Sequence, residues 1–597
     1  MTVTEKLDKL RKLMKEKNIQ AYIVCTDDFH GSEYVGEYFK VREYLSGFTG
    51  SAGTLVVLED EAALWTDGRY FIQAEEQLKG STIELMKEKE EGVPSLSQYL
   101  SEKLKDNSTV GFDGRTISSA FVYNLNELLK NKNISYEFKF DLVEDIWTDR
   151  PAMSKKAVWE LGIEYAGIGR EEKLLRVKRK MQELKADIMI ITALDEIAWL
   201  LNLRGDDVKC NPVFLSYMII EKEKASLYTY EKKLGEEITD RLKNIGIEIL
   251  PYNKFYEDIK GIDINKCVLA DSSVANYMVM KCIPTNTRVI DMKSPIALMK
   301  SVKTKSECEN MKKAHIKDGV AMTKFMYWLK NNVGSLEMTE LSIVEKIREL
   351  RSEQTGYLSE SFEPIVAYGQ HGAIVHYAAT DESNISVKNK GMLLVDTGGH
   401  YINGTTDITR TYVLGDISEE EKRLFTLVLM GHLNLSDAKF LYGARGMNLD
   451  YIAREPLWRN GLDYNHGTGH GVGYLLNVHE GPNSFTWQSV DGTIKNAVFE
   501  EGMITSNEPG VYVEGKYGIR HENMLMCIKA EKTEYGQFMK FENLTKVPFD
   551  LDGIDVSYMT DRQIELLNDY HKEVFEAVSP YLDDNEREWL RYATREI

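Results

Sequence analysis

Residues 395–412 read VDTGGHYINGTTDITRTY, a glycine-rich segment between two β-prone runs. An apolar run at 393–395 leads into it, and residues 405–413, rich in β-branched and aromatic side chains, lead out. Because glycines at 398, 399 and 404 permit a reversal of the chain, the pattern predicts a β-hairpin. Adjacent strands of such a hairpin bring the carboxylates of Asp396 and Asp407 within reach of each other.

The pairing of two aspartates has an electrostatic cost. Two ionised carboxylates roughly 4 Å apart repel each other by about 4 kcal/mol at an effective dielectric constant of about 20. The cost is avoided when a proton or a cation lies between them. The alternative is a solvated hairpin with two unrelated aspartates, and the hairpin alone leaves both interpretations open.

The length and charge of the chain bound its class. A chain of 597 residues is too long for one hydrophobic core, and about three or four domains are expected. The formal net charge of −20 argues against nucleic-acid and anionic-membrane binding, because both rely on basic patches. No nucleic-acid partner is therefore expected.

The apolar segments and cysteines indicate the compartment. The opening residues, MTVTEKLDKLRKLMKEKN, lack the apolar core of a signal peptide, and no later stretch is continuously apolar for the length of a bilayer. The six cysteines are scattered without a CxxC pair, which is typical of reduced thiols and not of a thiolate zinc site. We expect a soluble cytoplasmic protein without a membrane partner, in which any metal uses other ligands.

The first half of the chain repeats one pattern. A helical apolar stripe (Leu7, Leu10, Met14) precedes the strand-like run AYIVCT, and a second stripe (Leu174, Val177, Met181) precedes DIMIIT at 187–192. Each strand is followed by a loop and a further strand, GTLVVL at 53–58 or FLSYMII at 214–220. We predict two copies of one α/β domain, at 1–155 and 156–302. The alternative is a chance recurrence of the common helix-then-strand order.

Arg69 lies in an unusual segment of the first copy. SGFTGSAG at 46–53 and WTDGRYFIQA at 65–74 combine glycine-rich turns with aromatic residues. We predict a hairpin turn at Asp67-Gly68 followed by an aromatic-rich strand. Arg69 is then either a donor to a substrate or neighbouring subunit, or a solvated arginine.

From about residue 303 longer helices are predicted. Residues 307–330 carry a helical apolar stripe, and Ser418 with Glu421 forms a capping box before LFTLVLM. The C-terminal residues read as a loop and two helices, and one helix has an apolar face that a partner or the parent domain must cover (Leu566, Tyr570, Val574, Val578). Eight of the eleven histidines fall between His371 and His521, so chemistry is sought there.

Histidines and glutamates follow the hairpin in sequence. His466, His470 and His479 lie in NHGTGHGVGYLLNVHEGP, Glu508 in TSNEPGVY and Glu522 in GIRHENM. Taken singly, each has a structural explanation: a hydrogen-bonded loop histidine, a turn residue before Pro-Gly, or a solvated strand edge.

Taken together, these residues indicate a metal site. Two Asp, at least one His and two Glu, without a thiolate, suit hard or borderline divalent ions, Mn²⁺ first, with Zn²⁺, Co²⁺ and Fe²⁺ as alternatives. Four carboxylates offset the charge of two such ions better than of one. The hypothesis is a hydrolytic two-metal centre, whose ions, about 3.5–4 Å apart, share a water and lower its pKa.

The ligand order resembles that of the "pita-bread" metallopeptidases, which include methionine aminopeptidase, prolidase and Xaa-Pro aminopeptidase. HGTGHGVG and HEGP lie between the candidate ligands, and SGFTGSAG, WTDGRYFIQA, ALDEIAWLLNLRG, GAIVHYAAT and the closing EREWLRYATREI extend the resemblance over nearly the whole chain. Length and the paired N-terminal domains narrow it to the three-domain Xaa-Pro aminopeptidases (aminopeptidase P). The resemblance implies two creatinase-like α/β domains followed by a pita-bread α+β catalytic domain at 303–597, with a helical extension from about 545.

The resemblance also implies a role for each site residue. Of two manganese ions, Asp396 would hold one, Asp407 and Glu522 would bridge both, and His470 with Glu508 would complete the other. His376 and His479 would contact the peptide and help move a proton to the leaving proline nitrogen. The remaining implied residues are secondary supports of the site and a substrate contact from the N-terminal domain: His466, Arg520 and Arg69.

The implied activity is hydrolysis of the bond between an N-terminal residue and a penultimate proline by a hydroxide bridging the metals. Peptides with proline second are the expected substrates, and a homodimer is the expected assembly. The sequence departs from the family pattern at Pro364, where Thr is expected, but no ligand lies there. The alternatives are a prolidase cutting Xaa-Pro dipeptides, a creatinase-like hydrolase working without metal, and a non-catalytic pita-bread module, which five intact ligands disfavour.

Overall fold

The computed structural model describes residues 1–488 and 496–597 and divides the chain into two units. The first unit comprises Met1–Gly162 and Ile168–Ala297, and the second comprises Ile163–Gly167 and Leu298–Ile597. The candidate ligands at 396–522 all belong to the second unit.

Two six-stranded sheets form the first unit. The strands of one sheet lie in the spatial order Glu84–Lys87, Ala62–Thr66, Thr54–Leu58, Ala21–Cys25, Thr109–Gly111, Ser135–Glu137. Those of the other lie in the order Ile247–Pro251, Ala225–Thr229, Ser216–Glu221, Ile188–Ile191, Cys267–Ala270, Arg288–Asp291. In both sheets the second and third strands pair antiparallel with their inner neighbours, and the outer pairs are parallel. The predicted internal repeat is therefore confirmed.

The helix that opens each copy buries the predicted stripe. Helix Val3–Glu16 buries Leu7, Leu10 and Met14, and its capping box joins Thr2 to Glu5. Helix Arg170–Leu184 buries Leu174, Val177 and Met181. The α/β class of this half is confirmed; the domain boundaries at 155 and 302 stay predictions.

The predicted strand after Asp67-Gly68 is wrong. Strand Ala62–Thr66 is followed by a turn and by helix Phe71–Gln77, so the chain does not form a hairpin there. The helix buries Ala74 and exposes its glutamates. A run as short as FIQA fits the period of a strand or of a helix. In the structure it forms the first half of a helix that continues to Gln77.

The second unit combines long helices with small sheets. A three-stranded sheet has the order Ile365–Tyr368, Met392–Thr397, Ile408–Val413, and a four-stranded sheet has the order Lys439–Leu441, Gly536–Asn543, Asn523–Thr533, Ile504–Asn507. The principal helices are Lys305–Asn332, Glu340–Ser352, Glu419–Ser436, Gly446–Trp458, Asp561–Val578 and Asp584–Ala593. The predicted Ser418–Glu421 capping box is confirmed. This mixture of packed helices and antiparallel sheets is the predicted α+β architecture.

The predicted hairpin is also confirmed. Strand Met392–Thr397 pairs antiparallel with Ile408–Val413, and the segment between them contributes two short strands, Gly399–Tyr401 and Gly404–Thr405, to another sheet. Because side chains alternate across a strand, Leu393 and Val395 enter one hydrophobic core, and Asp396 lies on the opposite face.

The C-terminal helices pack on their own unit. Helix Asp561–Val578 buries Leu567, Tyr570, Val574 and Val578, and these residues share a core with Leu429 and Phe549. The parent domain thus covers the face that the sequence left without a partner, and this face gives no support to a dimer. Among the described residues, no helix is long and apolar enough to span a membrane.

Candidate metal centre

The hairpin supplies two of the candidate ligands. Asp396 lies on strand Met392–Thr397 and pairs in register with Thr409. Asp407 directly precedes strand Ile408–Val413. Both are almost fully buried, 8% and 3% exposed, so the interpretation as a solvated hairpin does not hold.

A second strand pair supplies the glutamates. Strand Ile504–Asn507 pairs antiparallel with Asn523–Thr533, and Asn507 lies opposite Asn523. Glu508 and Glu522 therefore flank the same end of this pair. The backbone N–H of Glu522 donates to the carbonyl of Thr409 (3.1 Å), which joins this end to the hairpin.

His470 brings the two strand pairs together. Its Nε2 lies 3.5 Å from Oδ2 of Asp407 and 3.4 Å from Oε1 of Glu508. One ligand atom from each of Asp407, His470 and Glu522 lies within 4.8 Å of the others. Within the part of the chain that the structure describes, this is the one group of three or more such side chains able to hold a metal ion.

The tautomer of His470 favours a cation at this point. Its Nδ1 lies 3.0 Å from the carbonyl oxygen of Gly471, and since a carbonyl only accepts, Nδ1 carries the proton. In the neutral ring Nε2 then presents a lone pair toward the carboxylates of Asp407 and Glu508. A nitrogen lone pair that faces a carboxylate is repelled by it unless a proton or a metal ion lies between the two groups.

Two of the candidate ligands each have one carboxylate oxygen without a hydrogen-bond partner among the described residues. Oδ2 of Asp396 accepts from Nη2 of Arg520 (2.5 Å), and Oε2 of Glu522 accepts from the hydroxyl of Thr409 (2.7 Å). The second oxygens, Oδ1 of Asp396 and Oε1 of Glu522, are buried without a partner in that part of the chain. Buried polar atoms are rarely left unsatisfied, and divalent cations fit this donor set of carboxylate oxygens and one imidazole.

The protein's own positive charges do not balance the negative charge of these carboxylates, and their pKa values are raised. Burial, followed by the charges of Asp396 and Glu508, holds the pKa of Asp407 well above its ordinary value. Burial, followed by the charge of Asp407, does the same to the pKa of Glu522. Burial raises the pKa of Glu508 to about 7, with Arg520 opposing the rise and Asp396 adding to it. Bound cations would reverse these shifts because they favour the ionised forms.

Tyr512, which was not predicted from the sequence, links the two predicted supports Arg520 and His466 beside Asp396. Besides Asp396, Arg520 donates through Nη1 to the hydroxyl of Tyr512 (2.7 Å). Nε2 of His466 lies 2.9 Å from the same hydroxyl, and its Nδ1 lies 2.8 Å from the carbonyl of Gly467. Because Nδ1 must donate, the Tyr512 hydroxyl donates to Nε2 when the His466 ring is neutral. Tyr512 follows NEPG closely in sequence, but nothing local indicates its link to Arg520.

The structure places the other predicted site residues less directly. The ring of His479 meets that of His470 edge-on, with centroids 4.3 Å apart. His376 follows Val375, whose carbonyl accepts from Nη2 of Arg520 (3.4 Å). Arg69 belongs to the first unit and forms a bidentate ion pair with Asp67 (both contacts 2.8 Å). Its predicted contact with substrate stays a prediction.

Comparisons with known proteins cover the whole chain. A model of metallopeptidase family M24 matches residues 309–529, and a model of the C-terminal region of that peptidase matches 537–597. Two models of the creatinase/prolidase N-terminal domain match 6–139 and 149–307.

Relatives of similar length agree with these models. Xaa-Pro aminopeptidase 1 of Dictyostelium discoideum is 38% identical over 99% of this chain and 96% of its own length. Aminopeptidase P2 of Arabidopsis thaliana is 38% identical over 100% of this chain and 89% of its own. The chain belongs to metallopeptidase family M24.

Within family M24, a solved structure matches both units. The crystal structure of X-prolyl aminopeptidase from Caenorhabditis elegans, described as a cytosolic enzyme with a di-nuclear active site, is 33% identical, covers 100% of both chains and has a TM-score of 0.94. The predicted family and fold, two creatinase-like domains and a pita-bread metallopeptidase domain, are thereby confirmed.

Proposed function

We propose that this M24 metallopeptidase is a metal-dependent Xaa-Pro aminopeptidase that releases the N-terminal residue from peptides with proline second. The observation that carries the proposal is the convergence of the Asp407, Glu508 and Glu522 carboxylates with the imidazole of His470. The relatives that match this chain from end to end carry the same activity in their names.

The ligand assignment is part of the proposal. Asp396 would hold one ion, Asp407 and Glu522 both, and His470 with Glu508 the other; the oxygen-rich set favours Mn²⁺ over Zn²⁺ or Co²⁺. When bound, such a pair supplies Lewis acidity for the scissile carbonyl and lowers the pKa of a water at the site.

The chain's own residues orient and protonate. Arg520 fixes one oxygen of Asp396 and Thr409 fixes one oxygen of Glu522, so each carboxylate keeps one buried oxygen for a bound ion. His479, edge-on to His470, and His376 would contact the peptide and deliver a proton to the departing proline nitrogen. That nitrogen carries no hydrogen in the peptide, so it leaves only with a proton supplied from such a residue. His466 and Arg520 act behind them through Tyr512.

Three further statements complete the proposal. Arg69 binds substrate from the first unit, the enzyme is a homodimer, and it works in the cytoplasm. The resemblance to aminopeptidase P supports the first two, and the cytosolic relative from Caenorhabditis elegans supports the third.

Hydrolysis by chelator-stripped protein, with and without added Mn²⁺, tests the function. The substrates are a tripeptide with proline second, the matching Xaa-Pro dipeptide and a tripeptide with alanine second. We expect cleavage of the proline tripeptide only, restored by Mn²⁺ and lost in Asp407→Ala. The matched control is Asp416→Ala, an exposed aspartate near the same hairpin, which keeps activity.

Other outcomes point elsewhere. Cleavage of the dipeptide alone would make the chain a prolidase. Metal binding without cleavage of any peptide would assign the centre to another substrate. A protein that binds no metal would be either a non-catalytic member of the fold or a creatinase-like hydrolase working without metal.

A further inference from the structure

The segment that carries His376 has little regular structure. Residues 369–385 run from the end of strand Ile365–Tyr368 to the start of strand Ser386–Val387, and the 3₁₀ helix Gly369–Ala373 is the element assigned within them. Several residues near its tip, among them Asp381 and Glu382, are exposed. We call residues 369–385 the His376 loop; its conformation depends on contacts with other parts of the unit.

One buried carboxylate accepts hydrogen bonds from this loop and from the residue before it. Glu340, 0% exposed, opens helix Glu340–Ser352. Its Oε1 accepts from the backbone N–H of Tyr368 and from Nδ1 of His371, both at 2.8 Å. Its Oε2 accepts from the hydroxyl of Tyr377 (2.8 Å) and the backbone N–H of Ile385 (3.4 Å).

The donors are distributed so that they close the loop. Tyr368 and Ile385 flank its two ends, while His371 and Tyr377 lie within it and stack on each other, with ring centroids 4.4 Å apart. The backbone N–H of Glu340 also donates to the carbonyl of Ile385 (3.2 Å). A buried carboxylate is costly without such donors, and hydrogen bonds to a charged acceptor are stronger than neutral ones, so the loop and Glu340 fix each other.

His376 lies between two anchors. On one side, the carbonyl of Val375 accepts from Nη2 of Arg520, which also holds Asp396. On the other side, Tyr377 donates to Glu340. The backbone of His376 is therefore held relative to the candidate ligand through Arg520 and relative to the helix through Glu340.

We propose that Glu340 is a positioning residue for His376: it fixes the loop so that this histidine meets the peptide at the metal centre. The inference rests on the proposed function, in which His376 contacts substrate. A carboxylate in the first turn of a helix also interacts favourably with the helix dipole. A purely structural role for Glu340 is therefore the competing explanation, and the positioning role and the structural role predict different effects on catalysis.

Glu340→Gln tests the proposal. The carboxamide keeps the size of the side chain but turns one acceptor into a donor, so half of the donors lose their partner. We expect kcat on the proline tripeptide to fall roughly 10- to 100-fold, as misplacement of a catalytic group does, while bound Mn²⁺ per chain is unchanged. Tyr377→Phe, which deletes a single donor, should lower kcat less. Glu382→Gln, an exposed change on the same loop, should have no effect.

A double-variant comparison separates positioning from structure. If Glu340 acts through His376, adding Glu340→Gln to His376→Ala should cause no further loss of kcat beyond that of His376→Ala. A further loss of the same size in the His376→Ala background would overturn the proposal, as would a Glu340→Gln variant with wild-type kcat. If Glu340→Gln does not fold, Tyr377→Phe is used in the same comparison.

The proposed function can fail separately. Wild-type protein that binds Mn²⁺ but does not cleave the proline tripeptide would refute the aminopeptidase itself. Active wild-type protein with additive effects of Glu340 and His376 would refute the positioning role alone.

Discussion

The carboxylates of the candidate metal centre differ in how their negative charge is balanced. Asp396 forms an ion pair with Arg520. Burial first, and then the charges of neighbouring carboxylates, raise the pKa values of Asp407 and Glu522, and burial raises that of Glu508 although Arg520 partly offsets the rise. The site is therefore built to be completed by positive charge. The pH dependence of the metal-free protein should report this directly.

We predict that metal stabilises the protein more at pH 8 than at pH 6. Without metal the pKa of Glu508 is raised to about 7 by burial first, then modulated by Arg520 and Asp396, against about 4.3 in the unfolded chain. A raised carboxyl pKa contributes stability that is present below the unfolded value and is lost as pH rises through about 7. Bound metal requires the ionised form and removes this loss.

The measurement is the denaturation midpoint of chelated and Mn²⁺-loaded protein at both pH values. Exposed Asp416→Asn serves as the control and should leave the difference unchanged. A stabilisation by Mn²⁺ that is equal at pH 6 and pH 8, or larger at pH 6, contradicts the prediction.

At the scale of elements, a buried ion-pair cluster holds the segment between the two site histidines. Glu480, next to His479, pairs with Nζ of Lys300 and of Lys303, both at 2.8 Å, and all three side chains are at most 4% exposed. The backbone N–H of Glu480 donates to the carbonyl of Gly471 (2.7 Å), the residue after His470. The cluster thus anchors both ends of this segment.

We predict that Glu480→Gln destabilises the second unit by about 3–5 kcal/mol, because it removes the carboxylate that two buried ammonium groups share. Replacing all three residues by methionine should cost less than the single change, since the two buried ammonium groups are removed together with the carboxylate they share. Urea denaturation measures both. As a control, Glu501→Gln breaks the exposed pair with Lys529 and should cost less than about 1 kcal/mol. A triple variant less stable than Glu480→Gln would refute the interpretation.

The helices and strands show which features could be predicted from the sequence and which could not. The hairpin around Asp396 and the stripe of helix Val3–Glu16 follow from local composition and period, and both were predicted. Helix Phe71–Gln77 was predicted as a strand because its run is too short to show a period. The candidate ligands were predicted from their residue types and glycine-rich context, and the family resemblance then gave each its role. Tyr512, Glu340 and Glu480 were not predicted, because each has a partner distant in the chain.

At the scale of the whole molecule, each unit has its own hydrophobic cores. Leu64 lies in a core of the first unit, and Leu393 lies in a core of the second, beneath the hairpin; both are 0% exposed. All five candidate ligands belong to the second unit. Metal binding should therefore stabilise the two units unequally.

We predict that scanning calorimetry of the metal-loaded protein resolves two transitions and that chelation lowers only one. Free Mn²⁺ at about 100 times its dissociation constant stabilises the state that binds it by about 2.7 kcal/mol, and this is lost from the second unit alone. Leu393→Ala, costing about 2–5 kcal/mol, should lower the same transition as chelation, and Leu64→Ala the other. A single transition that moves with chelation and with both variants would show that the units unfold together, and the metal would then stabilise the whole chain.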